Sequence, residues 1–478
     1  MILKRFYDER LAQASYLVGC SATGEALVID PNRDVNQYLQ TAESEGLRIV
    51  AVTETHIHAD FVSGSRELAK RTVAKLFLSD EGDAAWKYAF AHEPNVILVK
   101  DGDTIQIGNL RLDVLHTPGH TPEHLSFQLT DTVASAEPMG IFTGDFVFVG
   151  DVGRPDLLER AANQVGTMNL AARTLFRSLQ KFKTRPAYLQ IWPGHGAGSA
   201  CGKGLSAVPQ STVGFERLAN WAFALDDEDA FVQAVLNGQP EPPRYFGRMK
   251  RINRDGPALL DGSRRCERLS RENLAPLLGR GETVVDMRSA REYAVGHIPG
   301  TLNVPFDRSF LTWAGWLLPY DLPIYLLLDD RSGQKIDEIT HELTKIGLDR
   351  TAGYFGTDAL SSWQDEGRTL GTIPQMTPTR LEQLRHTDSV TLVDVRGLAE
   401  WEDGHIPEAQ HIPLGDLATR LDEIPPGRPV VVYCRSGARS AIAASLLRSR
   451  GITDVLNLDG GYDLWTRIRV EVRGGHDR

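Results

Sequence analysis

Thr55-His56-Ile57-His58-Ala59-Asp60-Phe61 (THIHADF, residues 55–61) follows the apolar run RIVAVTE (48–54). The β-branched run predicts a strand, and it delivers His56, His58 and Asp60 at alternating positions into the loop beyond it. Three more segments repeat the arrangement. LRLDVLH (110–116) runs into HTPGHT (116–121), IFTGD (141–145) ends at Asp145, and IWPGHG (191–196) ends at His195. Each polar group sits where a strand is expected to stop, so all four can converge on one sheet edge. Imidazoles and carboxylates gathered in this way suit a divalent metal. Upstream, SYLVG (15–19) and EALVIDP (25–31) read as further strands, and VNQYLQTAESEG (35–46) as a helix stopped by Gly46.

The ordered set HxHxD, PGHT, TGD and PGH resembles the metallo-β-lactamase superfamily over about residues 1–235. The resemblance implies an αββα sandwich. Many dinuclear hydrolases of that superfamily carry His where this chain has Phe61. A phenyl ring cannot coordinate, so one metal is expected rather than two. Two His and one carboxylate with open positions is the set expected of non-haem Fe(II). The persulfide dioxygenase branch is a mononuclear iron enzyme of this kind, and its ligands map onto His56, His120 and Asp145. His58, Asp60 and His195 then become supporting or substrate-side groups. Arg154, nine residues after Asp145, falls where that branch has an Arg that contacts substrate, and its planar fork suits a carboxylate. Cys201, in GHGAGSACGKG (194–204), is expected either at the site mouth, handling sulfur, or as a small buried thiol.

The rest of the chain contains a repeat. VVDMRSAREYAVGHIPGTLNVP (284–305) aligns without gaps on LVDVRGLAEWEDGHIPEAQHIP (392–413), and LLLDDRSGQK (326–335) matches VVYCRSGAR (431–439) around a shared RSG. One duplicated module is the simplest source. In the second copy VVVY (430–433) predicts a strand, CRSGAR (434–439) a loop, and SAIAASLLRSRG (440–451) a helix, so each copy reads as a parallel α/β unit. A loop at a helix N-terminus aims backbone N–H groups and positive potential at Cys434, and Arg435 and Arg439 add charge; all of these favour a thiolate or a persulfide anion. The loop, with the upstream DVRxxxE and GHIP, resembles the rhodanese family, which implies that Cys434 carries sulfane sulfur. A phosphatase loop of the C-x5-R kind would need Arg one residue later. The first copy has Asp330 where its twin has Cys434 and is expected to be inert.

Pro- and Gly-rich stretches at 238–258 and 371–378 read as linkers. The expected division is therefore residues 1–240, an inactive repeat at 258–370 and an active one at 376–478. The order of modules resembles the CstB-type sulfide-detoxification enzymes over nearly the full length. That resemblance implies oxidation of a low-molecular-weight thiol persulfide by O2 to sulfite at one Fe(II) per chain, followed by sulfur transfer through Cys434 to give thiosulfate. The alternative is a Zn-dependent thioester hydrolase of glyoxalase II type with accessory sulfurtransferase modules. The 478 residues carry 63 acidic and 52 Lys and Arg side chains, a net charge of −11, which argues against nucleic acid or an anionic membrane as partner. Four scattered cysteines, no signal-like N-terminus and no membrane-length apolar run point to a reduced cytoplasm. Self-association is expected, and no organic cofactor.

Overall fold

Strand β2 (Gln13–Cys20) shows how the first layers form. Ala14, Tyr16, Val18 and Cys20 project to one face and Leu17 to the other, and all are buried. A strand that hides both faces must lie between two cores. A computed structural model describes residues 1–157, 166–239, 241–260, 266–384 and 389–474, with the backbone alone at 330–331 and 469–474.

Six strands follow in spatial order β1 (Ile2–Asp8), β2, β3 (Glu25–Ile29), β4 (Arg48–Thr53), β5 (Lys75–Ser79) and β6 (Val96–Val99). A second six-stranded sheet holds β7 (Thr104–Ile107), β8 (Leu110–His116), β9 (Leu125–Asp131), β10 (Gly140–Gly144), β11 (Gln190–Pro193) and β12 (Ser211–Thr212). The inner faces share one core, in which Tyr16, Val18 and Leu27 of the first sheet meet Leu112, Phe127 and Trp192 of the second. The helices Val35–Ser44 and Ser65–Thr72 cover one outer face through Tyr38, Ala42 and Leu68. The helix Met168–Lys183 covers the other through Leu175, Leu179 and Phe182. This is the expected αββα sandwich. Gly46, at φ +65°, ends the first helix as its position suggested.

The repeats build two parallel sheets. One has the order β14 (Leu302–Asn303), β13 (Thr283–Asp286), β15 (Ile324–Leu327), β16 (Thr351–Phe355). The other runs β17 (Gln375–Met376), β21 (Val455–Leu458), β20 (Val430–Tyr433), β18 (Thr391–Asp394), β19 (Gln410–His411). The helix Ala438–Ser449 is buried over most of its surface, because Ala443, Ala444 and Ser445 are small enough to let β14 approach. The backbone N–H of Asn303 donates to Ser445 Oγ at 3.0 Å.

The chain separates into two compact units, Met1–Gly262 with Thr344–Gly347, and Ser263–Leu343 with Leu348–Arg478, so both repeats share one unit. The two expected linkers are structured. Within 238–258 the chain forms the helix Phe246–Asp255, which buries Phe246, Met249 and Asn253. Arg248, Lys250, Arg251 and Arg254 lie between and beyond them and mask that periodicity. Within 371–378, Gly371 exchanges backbone hydrogen bonds with His297, and Gln375–Met376 adds edge strand β17. Among the described residues no helix is long and apolar enough to cross a membrane.

Candidate functional site

Strand β4 stops at Thr53, and the two residues beyond it set the loop. Thr55 donates from its N–H at 2.7 Å and from its hydroxyl at 2.9 Å to the Asp30 carboxylate. Asp30 itself sits at the end of β3 in a left-handed conformation, φ +51°. The same carboxylate accepts from His58 Nε2 at 3.0 Å. Burial alone would lower the His58 pKa, but Asp30 and the neighbouring acids raise it to about 9. His58 is thereby committed to Asp30, and its ring lies 4.4 Å from that of Phe61, which is fully buried.

His56, His120 and Asp145 converge. All three are buried, and one donor atom from each lies within 4.8 Å of the others. Asp145 Oδ2 is 4.0 Å from His56 Nε2 and 3.5 Å from His120 Nε2. His120 Nδ1 is 3.0 Å from the Arg154 carbonyl, so it carries the proton and Nε2 offers its lone pair to the centre. Burial holds both His56 and His120 below the ordinary imidazole range, which is the neutral state that a metal needs. Neither Asp145 oxygen has a hydrogen-bond partner. Orphaned carboxylate oxygens in a dry interior are costly unless a cation satisfies them, so this donor set fits a metal. Gly144 is required beside it: at φ +49°, a Cβ would stand 2.5 Å from Thr55 Oγ1.

Asp60, His195 and Cys201 form an adjoining group with the same spacing. His195 Nε2 is 3.2 Å from Asp60 Oδ2 and 3.5 Å from Asp145 Oδ1, while Nδ1 is held by the Ala12 carbonyl at 2.9 Å. Of the two readings of Cys201, the structure has the buried one. The side chain is 2% exposed, and burial, reinforced by Asp145 and Asp60, pushes the thiol up to about 12. Arg154 also departs from expectation. Its guanidinium is fully buried, forked onto Asp156 at 2.8 Å and 2.8 Å, and donates to the Ala200 carbonyl. Those contacts occupy the fork expected for a substrate carboxylate, and Arg154 reaches the centre through its backbone carbonyl on His120.

Several supporting residues escape a motif reading. His124 binds Thr117 Oγ1 at 2.8 Å and accepts the Asp145 N–H at 3.1 Å, which fixes the backbone that presents Asp145. Glu123 accepts from the Ile57 N–H at 2.8 Å. Asn253 donates to the His58 and Phe61 carbonyls at 2.8 Å and 2.7 Å and accepts from the Ser63 N–H at 2.9 Å. His124 adjoins PGHT and could have been noticed there. Asn253 lies far away in sequence, in the presumed linker, and carries no local signal.

In the second repeat Cys434 follows β20 and is 1% exposed. The Gly437 N–H donates to its sulfur at 3.2 Å and the Ser440 hydroxyl at 3.5 Å. Gly437 adopts φ +100°, which turns that amide inward. Arg439 pairs with Glu400, and Arg435 lies at the surface with 71% of its side chain exposed. The motif residues shared by the copies have a structural origin. Asp394 and Arg396 form a buried fork at 2.6 Å and 3.0 Å, as Asp286 and Arg288 do at the same distances. Each Arg then reaches the Gly carbonyl of its GHIP, at 2.7 Å and 2.9 Å. In the first copy Asp329 caps the short helix Asp330–Gly333 by accepting from the Ser332 N–H at 2.6 Å. The side chain of Asp330 lies outside the described residues. A cavity of about 1140 Å³ in this unit is lined by Trp313, Phe306 and Asp329 from the first copy and Ala438, Arg439 and Ile442 from the second.

The model of the metallo-beta-lactamase superfamily matches residues 8–195, and that of the rhodanese-like domain matches residues 270–355 and 377–468. A crystal structure of a metallo-beta-lactamase from Staphylococcus aureus subsp. aureus COL is 43% identical, with a TM-score of 0.66 over 74% of this chain and 99% of that one. The chain is 33% identical over 192 residues to the hydroxyacylglutathione hydrolase of Nitrosococcus oceani, spanning 38% of this chain and 61% of that relative's length. It is 29% identical over 240 residues to the mitochondrial persulfide dioxygenase ETHE1 of Bos taurus, over 49% of this chain and 80% of the relative.

Proposed function

Because the chain belongs to the metallo-beta-lactamase superfamily and carries two rhodanese-like domains, we propose that it is a persulfide dioxygenase coupled to a sulfurtransferase. In the first reaction a low-molecular-weight thiol persulfide, O2 and water give the thiol, sulfite and two protons. In the second, Cys434 attacks the terminal sulfur of another persulfide and releases its thiol. The cysteine persulfide then gives that sulfur to sulfite, forming thiosulfate and restoring Cys434. One chain makes the acceptor that it consumes, which raises its effective concentration.

The observation that carries the reading is the donor set: two neutral imidazoles and one unpartnered carboxylate, with Phe61 where a further imidazole would make a metal pair. His56, His120 and Asp145 would hold one ferrous ion, which when bound would supply redox chemistry for joining dioxygen to sulfur. Thr55 and the Arg154 carbonyl hold the two rings by Nδ1 so that each Nε2 stays free. Buried Phe61, Phe146 and Phe148 pack beside His58, His124 and His195. The Gly437 amide and the Ser440 hydroxyl stabilise negative charge on the Cys434 sulfur. Asp330 in the first copy cannot accept sulfur and leaves that copy without a carrier. Similarity to ETHE1 supports this assignment.

The hydrolase reading draws on the 33% identity to hydroxyacylglutathione hydrolase and on the second acidic group, Asp60 with His195. Anaerobic loading separates the two. Iron with O2 uptake on glutathione persulfide supports the oxygenase, and zinc with thioester cleavage and no O2 uptake supports the hydrolase.

A further inference from the structure

The first repeat lacks a sulfur carrier, yet a cavity of about 1140 Å³ lies over the end of its sheet. The lining follows the C-terminal ends of all four strands: Met287 after β13, Phe306 after β14, Asp329 after β15 and Thr357 after β16. That edge is where parallel α/β sheets hold their ligands, and the volume is ample for a molecule of tripeptide size. Ala438 and Arg439 of the second repeat complete the wall. They stand between Gly437 and Ser440, the two residues that donate to the Cys434 sulfur, so a ligand seated here lies against the sulfur loop.

Charge decides what the cavity takes. Asp307 Oδ1 accepts from the Ser309 N–H and hydroxyl at 2.7 Å and 2.8 Å, and Asp329 Oδ1 from the Ser332 N–H at 2.6 Å. Glu292 uses Oε2 in the same way on Ser289. Each cap fixes its carboxylate and leaves the other oxygen without a hydrogen-bond partner among the described residues. Arg439 is the one base among the described lining residues, and both prongs of its fork are on Glu400. Three fixed carboxylates and the ring of Trp313 favour an ammonium group and repel phosphates.

We propose that the cavity over the inert repeat binds the thiol carrier of the transfer step: it seats the amine-bearing body of an amino-acid-type persulfide, not a phosphorylated one, and presents its sulfur to Cys434. The inert repeat is then the binding half of a site whose reacting half is the second repeat; this use of the cavity rests on the sulfur-transfer reading. In the step itself the Cys434 thiolate forms a bond to the terminal sulfur, the carrier's S–S bond breaks, and the carrier leaves as its thiolate. One thiolate enters and one departs, the proton stays on the transferred sulfur, and no co-reactant is needed.

The test runs anaerobically on the full chain with sulfite supplied, so that the first reaction is silent. Glutathione persulfide and its N-acetyl derivative differ at the amino group alone. The amine-bearing form should show a KM for thiosulfate formation roughly tenfold lower, and coenzyme A persulfide should be poorer still. Asp307→Asn combined with Asp329→Asn keeps the capping oxygens and should remove the difference between the two glutathione forms. Calorimetric titration of the Cys434→Ser chain with S-methylglutathione and its N-acetyl derivative reads the cavity without turnover. Equal KM values for the two forms, coenzyme A persulfide used as well as glutathione persulfide, or a preference that survives the double substitution overturns the proposal. Amine-dependent binding that the double substitution abolishes, with no thiosulfate from any persulfide, supports the cavity and counts against the sulfur-transfer reading instead. Absence of both binding and transfer overturns the proposal.

Discussion

Arg439 and Glu400 close on each other as a two-pronged ion pair, Nη1 to Oε2 at 2.5 Å and Nη2 to Oε1 at 2.7 Å. The pair ties the first turn of the helix behind Cys434 to the helix Leu398–Glu402, so Arg439 is a brace for the sulfur loop. Glu400→Gln leaves the guanidinium without its counter-charge. Since the pair is about a quarter to a third exposed, the loss of stability should be only about 1 kcal/mol after screening. Sulfur transfer to sulfite should fall by roughly tenfold while O2 uptake is unchanged, measured as thiosulfate yield per O2 consumed.

Cys434→Ser separates the two reactions. O2 consumption should persist, sulfite should accumulate and thiosulfate should drop to the uncatalysed level. Ion chromatography of both products in one time course checks this, and unchanged thiosulfate output would refute the coupling.

Asn253→Ala removes three buried hydrogen bonds that hold the HxHxD loop from outside. Leaving the His58 and Phe61 carbonyls and the Ser63 N–H unsatisfied should cost about 2–4 kcal/mol, read by urea denaturation. Metal affinity should fall by roughly 10–100-fold, read by competition with a chelator, although Asn253 is absent from the donor set.

His120→Ala deletes one of the two imidazoles. Bound metal should fall below one per chain, and both sulfite and thiosulfate should disappear together. Stripping the metal from the wild-type chain should lower the melting temperature of the first unit, because the Asp145 oxygens then stay buried without a partner.

The sandwich and the parallel repeats were legible because strand-end motifs and a 22-residue internal alignment are local patterns. So was the convergence of His56, His120 and Asp145, each at the end of an apolar run. What stayed hidden depends on tertiary partners. Arg154 has the spacing of a substrate contact, but Asp156, two residues on, captures its guanidinium. Cys201 sits in a Gly-rich loop that looks exposed, yet the loop folds inward and buries the thiol. The helix Phe246–Asp255 was masked by its Arg-rich outer face, and with it the role of Asn253. Asp30 ends an apolar strand with no motif around it, and only the structure reveals that it organises Thr55 and His58.

The central claim is tested most directly by metal analysis joined to O2 uptake. The chain, reconstituted anaerobically, should hold one iron and consume one O2 for each sulfite formed from glutathione persulfide, with no cleavage of thioesters. A pair of zinc ions at this centre, thioester hydrolysis and no O2 uptake would contradict the account.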